Sequence, residues 1–350
     1  MVSFKTNGIK RIHPDALQSQ LRWLILTDNE IEEIPPEIGR CTILQKCMLS
    51  GNKIRSIPNE ISACTNLELI RLASNRLTEP PMALLGIPSL KWIALSENPF
   101  LQSVAAGASH TANTPTVLTD DSLDSDQGEV LGKGASGITR KVHWNDRPVA
   151  VKTYIGTMTS DGNPQQEKAL SLLASTIGSP CLIQVLGQTS GGSLVMELLH
   201  NYTALAGPPS MESCSRDVYE TDQSCSLDQG MSMVSGLLLV LRDLHSKGIT
   251  HGDFYGHNIL VSQDDKTKVK LSDFGAAFFY EPNTEYGKLL EQIEMRAFGV
   301  LVEETVKLLQ KSGTGVSVPD AIVELRTNCD RLGSFEELVQ AWKTATSTQE

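Results

Sequence analysis

Asparagine returns every 23 residues in the first third of this chain, at Asn29, Asn52, Asn75 and Asn98. Leucine keeps step with it at Leu21, Leu44, Leu67 and Leu90, and again at Leu26, Leu49, Leu72 and Leu95. Leu24, Cys47, Ile70 and Ile93 hold a third phase, so each unit reads LxxLxLxxN. A period this regular leaves few folds open. A unit of this kind has one short strand whose apolar face it cannot bury alone, so units must stack on their neighbours. The Asn falls where each strand turns, and its amide can bond backbone groups of the turn and of the adjoining unit. Ile34-Pro35 and Ile57-Pro58 then open the return path on the convex side. Cys41 and Cys64 share a phase, which marks them as packed thiols rather than reactive ones.

The pattern is the leucine-rich-repeat signature, whose range of periods includes this one. NGIKRI at Asn7 to Ile12 reads as a degenerate first unit. The strand positions between the leucines line a concave face and include Ile25, Lys46, Leu69 and Ala94. On that face Trp23, Met48, Arg71 and Trp92 are the expected contacts to a protein substrate or regulator, because aromatic and Arg side chains dominate binding patches. The pattern stops at about Ser103. Residues 103–126 are small, polar and finally acidic, and read as a linker.

The charge balance excludes some functions. Acidic residues outnumber basic ones, and the formal net charge is -11. That argues against a nucleic-acid binder, which needs a basic face. The N-terminal residues lack the apolar core of a signal peptide, and no run approaches a membrane span. The seven cysteines are scattered without a CxxC, so neither a disulfide framework nor a zinc site is expected, and a reducing cytoplasm fits.

The chemistry lies further on. LGKGASGIT carries Gly132, Gly134 and Gly137 as GxGxxG, a weak signal alone. VAVK follows and ends at Lys152. A Lys on an apolar strand must meet a phosphate or a carboxylate. Glu167 supplies the carboxylate, since it shares helical spacing with Leu170 and Leu173 and so faces the sheet. SLVMELL, residues 193–199, reads as a buried strand, and SLDQGMSMVSGLLLVLRDLHSKG as a long buried helix closed by Gly248. ITHGDFYGHNILV comes next, and then VKLSDFGAA.

This ordered set resembles the protein kinase family: Gly-rich loop, VAVK, helix Glu, HxDxxxxN and DFG. The match runs from about Gln127 to Trp342. EMRAFGVLVEE resembles the kinase segment DVWSFGVLLWE, with Glu294 in the place of its Asp, and CDRLGSFEELVQAW resembles the family's closing CxxxxRPSFxELV. The resemblance implies ATP and Mg2+ as cofactors. It implies that Gly132, Gly134 and Gly137 approach the phosphates, and that Lys152 holds them and is held by Glu167. Asp273 and Asn258 would bind the metal, and Asp253 would orient the acceptor hydroxyl and take its proton. Met196 matches the gatekeeper, and the backbone from Glu197 to Leu199 would meet adenine.

Four departures stand out. HRD reads His251-Gly252-Asp253, so the Arg that pairs with activation-loop phosphate is missing, and a constitutively arranged loop is expected. The catalytic loop DFYGHN has Tyr255 where Ser/Thr kinases carry Lys, and His257 where Tyr kinases often carry Arg; His257 is the candidate to assist the transferred phosphate. About 18 residues separate DFG from Glu294 and no APE motif occurs, which reduces the peptide-docking platform. Thr139 replaces the Val that ends the Gly-rich loop, a near-isosteric change.

The expected fold is α+β: repeats over 1–102, a linker over 103–126, and a two-lobed kinase domain over 127–350, divided near residue 200. The expected function is phosphorylation of Ser or Thr on a protein recruited by the repeats. The alternatives are a catalytically weak pseudokinase scaffold and a small-molecule kinase of the aminoglycoside or choline kinase type, whose HGDxxxxN this loop also resembles.

Overall fold

In the computed structural model, residues 1–102, 104, 117–118, 128–134, 136–156, 158–311 and 318–347 are described. The repeats give five short parallel strands in chain order: β1 (Val2–Ser3), β2 (Trp23–Ile25), β3 (Lys46–Met48), β4 (Leu69–Arg71) and β5 (Trp92–Ala94). From β2 to β5 the register is the sequence period itself, with Trp23 beside Lys46, Lys46 beside Leu69 and Leu69 beside Trp92. The Asn ladder explains the constancy of that residue. Asn52 Nδ2 donates to Leu49 O (2.8 Å) in its own unit and to Leu26 O (2.9 Å) in the preceding one, while its Oδ1 accepts from Ile31 N (3.0 Å). An Asp could not donate, and a Ser could not do both. The convex return is 3-10 helix at Pro36–Arg40 and Asn59–Ala63, and one α-helical turn, α1 (Met82–Leu85). Cys41, Cys47 and Cys64 are buried in the repeat core, and burial pushes the Cys64 thiol up to about 12. They are packing groups.

Most of the linker expected over 103–126 lies outside the described residues. Val117–Leu118 within it is a strand, β6, laid parallel on Gln188–Thr189. It extends the upper-lobe sheet, whose order is β6-β10-β11-β9-β8-β7. The other members are β7 (Glu129–Lys133), β8 (Gly137–Trp144), β9 (Arg147–Tyr154), β10 (Val185–Thr189) and β11 (Leu194–Glu197). Asn145 and Asp146 turn β8 into β9 with both φ positive (50° and 61°), the twist a tight hairpin prefers. Helix α2 (Pro164–Ser175) packs on this sheet, started by Pro164 and capped by Asn163, whose side chain accepts from Gln165 N.

The lower lobe is mostly helical. Strand β12 (Tyr202–Ala204) precedes α3 (Leu227–Ser246), which opens with a capping box of Ser226 and Gln229. Val234, Leu237, Leu238, Leu241 and Leu244 recur on one face of α3 and are buried. Then come β13 (Ile249–Thr250), β14 (Ile259–Ser262), β15 (Val269–Leu271) and β16 (Phe278–Phe279). Helices α4 (Glu285–Lys311), α5 (Asp320–Arg331) and α6 (Phe335–Ser347) complete the lobe. Among the described residues no helix is long and apolar enough to cross a membrane.

The concave face of the repeats is not free, which corrects the expectation of an open binding surface. Trp92 and Arg71 are fully buried, Met48 is buried and Trp23 is half-buried. Ile25, Met48, Leu69 and Trp92 share one apolar cluster with α3, α4 and α6 of the same chain. At the other edge Phe278, Tyr280, Leu290 and Ile293 join the core of the repeats. The short stretch after DFG explains this arrangement. Only a few residues link β16 to α4, so the front of α4 is bare, and the repeats cover it. Arg296 Nε donates to Leu90 O (2.8 Å) across that seam.

Candidate functional site

Between the lobes lies a cleft of about 430 Å³, walled by Leu131, Ala150, Lys152, Met196, Leu199, Leu271, Asp273 and Phe274. It shares Gly132, Thr139, Lys152, Glu167 and Asp273 with a smaller cavity of about 240 Å³ that Gly134, Gly137, Asp161 and Gly275 also line. The larger space is mainly apolar and the smaller is rimmed by glycines and charges, which suits a flat ring continued by phosphates. The three loop glycines differ in their reasons. A Cβ on Gly137 would stand 2.4 Å from Thr153 O, so strand pairing demands that glycine. A Cβ on Gly132 or Gly134 would meet nothing within 4 Å. Their smallness serves no packing among the described residues, as expected where backbone amides must approach a ligand.

Lys152 lies on β9 between Thr139 of β8 and Leu194 of β11. Its ammonium makes an ion pair with Glu167, which is 3% exposed on the inner face of α2. Burial pushes the Glu167 carboxyl up, and Lys152 pulls against that shift. Met196 faces the same cleft from β11. The Glu197 carboxylate is held by Lys270 Nζ (2.5 Å), and its own N–H donates to Gln184 O (2.9 Å). An adenine contact here would therefore fall to the Glu197 carbonyl and to Leu199.

Beneath the cleft the catalytic loop is tied down from several sides. Asn258 Nδ2 donates to Asp253 O and Oδ2, both at 2.9 Å. Ser272 donates to Asn258 O through N (2.9 Å) and Oγ (2.8 Å), which sets Asp273 beside the loop. His251 Nε2 donates to Ser272 O (2.9 Å). Asp273 itself has φ of 58°, a left-handed conformation uncommon outside glycine and of the kind that gathers at functional sites. Glu294, buried on α4, accepts from His251 N (2.9 Å), Gly252 N (2.6 Å) and His245 Nε2 (2.6 Å). Among the described residues no three acidic, His or Cys side chains cluster as a metal cage. Mg2+ does not require one, since it commonly takes one or two carboxylates and completes its shell with phosphate oxygens and water. Asp273 and Asn258 fit such a partial set.

His257, the candidate to assist the transferred phosphate, is anchored by Asp217. Its Nδ1 bonds Asp217 Oδ1 (2.7 Å), and its N–H donates to Asp217 Oδ2 (3.0 Å). Burial opposes its charge, but Asp217 outweighs that and holds its pKa above the ordinary value. The ring is thus tied to a fully buried carboxylate, a contact that braces the loop. Close by, Tyr219 Oη donates to Glu304 Oε2 (2.8 Å), and burial pushes Glu304 up from 4.5 to about 7. A carboxyl that keeps its proton longer when folded costs stability as pH rises from about 4.5 to 7. The loss should reach about 3 kcal/mol. Glu304→Gln is expected to remove that loss, so its unfolding free energy should fall less between pH 5 and pH 8 than that of the wild type. Parallel urea-derived profiles for the two proteins would contradict this assignment.

The repeats bring residues to this site that motif reading did not place there. Arg71 pairs with Asp253, donates through Nη1 to Gly252 O (3.0 Å), and pairs through Nε with Asp161 Oδ1 (2.8 Å). Trp92 Nε1 donates to Phe254 O (2.9 Å), and its ring stacks on Tyr255 at 4.1 Å and 9°. Glu68 is bound by Ser215 and by Arg216 Nη2 (2.8 Å). Gly252 is the mark of this docking. It has φ of 73°, and a Cβ there would stand 2.5 Å from Ile93 O. An Arg in its place would collide with the backbone of β5. The departures at Gly252 and Tyr255 were therefore the available signal, and what they signalled was a neighbour.

Comparison with known proteins agrees with this geometry. The protein kinase domain family matches residues 125–305, and a leucine-rich-repeat family matches residues 19–77. Calcium-dependent protein kinase 27 of Arabidopsis thaliana is 25% identical over 167 residues, 46% of this chain and 34% of its own length. Serine/threonine-protein kinase RAD53 of Saccharomyces cerevisiae is 29% identical over 190 residues, 51% of this chain and 21% of its own. Proto-oncogene serine/threonine-protein kinase mos of Sus scrofa is 29% identical over 163 residues, 42% and 45% respectively. The chain spans less than half the length of these relatives.

Proposed function

Since this chain belongs to the protein kinase family, we propose that it transfers the γ-phosphate of MgATP to a Ser or Thr hydroxyl of a protein acceptor. The observation that carries this is one cleft lined by the Lys152–Glu167 pair and Asp273, with the Asp253–Asn258 unit joined to its wall through Ser272. Phosphoryl transfer asks little covalent work of the protein, so catalysis is positioning and charge stabilisation. Lys152 holds the α- and β-phosphates, and Glu167 fixes the ammonium that does so. The Gly132–Gly134 backbone closes over the phosphates. Asp273 and Asn258 would hold Mg2+, which would supply positive charge against the transferring group. Asp253, with one oxygen bound by Asn258 and the other by Arg71, orients the acceptor hydroxyl and takes its proton. Two of the relatives above are serine/threonine-protein kinases, which supports Ser/Thr specificity. The seven cysteines are free thiols, which fits a reducing cytoplasm. Recruitment through the concave face is not part of this reading, because the chain's own lower lobe fills that face.

One observation favours a second reading, a small-molecule acceptor. Helix α4 begins at Glu285, ten residues after Gly275, and the repeats cover its front, so little platform is left for a peptide. Labelled γ-phosphate transfer separates the two. The wild type is expected to label a protein acceptor, and Asp253→Asn and Lys152→Met are expected to lower the rate by roughly 10³-fold. Consumption of ATP with no protein labelled would favour the small acceptor. If the mutants transferred as fast as the wild type, the kinase assignment of this cleft would be wrong.

A further inference from the structure

Arg71 is the repeat residue that reaches furthest into the site. Its side chain is 2% exposed, and it bonds Asp253, Gly252 O and Asp161 at once. Burial opposes its charge, but Asp253 and Asp161 outweigh burial and keep the guanidinium protonated. The catalytic loop carries Gly at residue 252 and Tyr at residue 255, where kinase loops carry Arg and Lys, and its His257 faces Asp217 instead of Asp253. Asp161 belongs to the other lobe. It lies just before α2 and lines the smaller, glycine-rimmed cavity. Asn163, the cap of α2, donates to Glu97 Oε1 of the repeats (2.6 Å). A Cβ on Gly162 would stand 2.8 Å from Ser96 Oγ, so the repeats and this segment are in close contact. The repeats thus grip both the segment that leads into Glu167 and the loop that carries Asp253.

Resting on the kinase reading above, we propose that Arg71 is a positioning residue of the phosphotransfer site, supplied by the repeats in place of the cation missing from the catalytic loop. It orients the Asp253 carboxylate toward the acceptor and holds the approach to α2 so that Glu167 stays on Lys152. The repeats are then a working part of the catalytic domain rather than a recruiting arm. The alternative function of such a contact is inhibition, and the geometry opposes it. An inhibitory plug would cover Asp253 or part Lys152 from Glu167. Asp253 keeps 19% of its side chain exposed, Lys152 and Glu167 are paired, and Asp273 lines an open cleft. Trp92, Leu69 and Met48 lie in the same apolar cluster as the lower-lobe helices, which is the character of a core and not of a detachable lid.

The test is steady-state phosphotransfer by the full chain carrying Arg71→Gln or Arg71→Lys, with MgADP binding and thermal melting measured alongside. Arg71→Gln is expected to lower kcat roughly 10²-fold while KM for ATP and MgADP affinity hold, because the residue touches Asp253 and not the nucleotide. Arg71→Lys is expected to recover part of that loss, because the charge returns without the guanidinium fork. Should Arg71→Gln alone not fold, Arg71→Gln with Asp161→Asn removes one of the two carboxylates left uncompensated and gives the same comparison. Turnover equal to or above wild type in the Gln variant overturns the proposal, the second case making the contact inhibitory. A Lys variant no better than the Gln variant also overturns it, since charge would then not be what Arg71 supplies. A wild type that transfers no phosphate sinks the kinase reading and the inference with it, whereas an active wild type with an unaffected Gln variant sinks the inference alone.

Discussion

Glu294→Ala is expected to destabilise the chain by about 3–5 kcal/mol and to abolish turnover. Glu294 is buried on α4 and collects three donors: the N–H groups of His251 and Gly252 and the His245 ring. Burial by itself would raise its carboxyl, but the bonds from His245 and His251 outweigh burial and hold it below its ordinary value. Truncation leaves two backbone amides and a buried imidazole without an acceptor, and an orphaned buried donor costs more than the bond it lost was worth. The two amides belong to the residues directly before Asp253, so the loop loses its anchor where the chemistry needs it. Melting and γ-phosphate transfer measured on one preparation check both parts. A variant within about 1 kcal/mol of wild type would show that the loop is held by something else. Glu294→Asp is the informative intermediate. It restores the residue of the kinase pattern but retracts the carboxylate by one methylene, so it should recover only part of the loss.

Trp92→Ala is expected to cost about 3–5 kcal/mol and to lower the melting of the whole chain rather than of the repeats alone. The indole has no exposed surface, stacks on Tyr255, donates to Phe254 O and lies under the Arg216 guanidinium at 5.5 Å. It is a repeat residue by period and a kinase residue by packing. Because its apolar cluster joins β2 to β5 with α3, α4 and α6, the repeats and the lower lobe should unfold together. Scanning calorimetry of the wild type should show them in one transition, and the variant should shift that transition as a unit. Two separate peaks, with only the earlier one moved by Trp92→Ala, would mean that the interface is a docking of independent domains.

The motifs of the candidate site were legible because each is local. GxGxxG, VAVK, HGDxxxxN and DFG are short runs in which spacing alone sets which backbone groups and side chains face one way. Glu167 was readable through helical spacing with Leu170, and it is buried as that spacing required. The anchoring of His257 was not legible for the converse reason. Its partner Asp217 lies 40 residues earlier in a segment with no periodicity, and nothing local announced it.

Two things follow from local order along the chain. The 23-residue period dictated the strand register and the Asn ladder, since each unit needs only its neighbour to bury its face. The ordered motifs dictated the family and the layout of the cleft. What covers the concave face depends on packing between distant segments. Arg71 and Asp253 are 182 residues apart, and no pattern of period 2, 3.6 or 23 relates them. The face carried Trp, Met and Arg, as any binding face would, and composition cannot tell whether the partner is another chain or the same one. That choice was made by a bare helix front after a short activation segment and by a glycine at residue 252 that admits the backbone of β5. Burial of apolar surface favours closing such faces on each other, and chain connectivity makes that closure intramolecular.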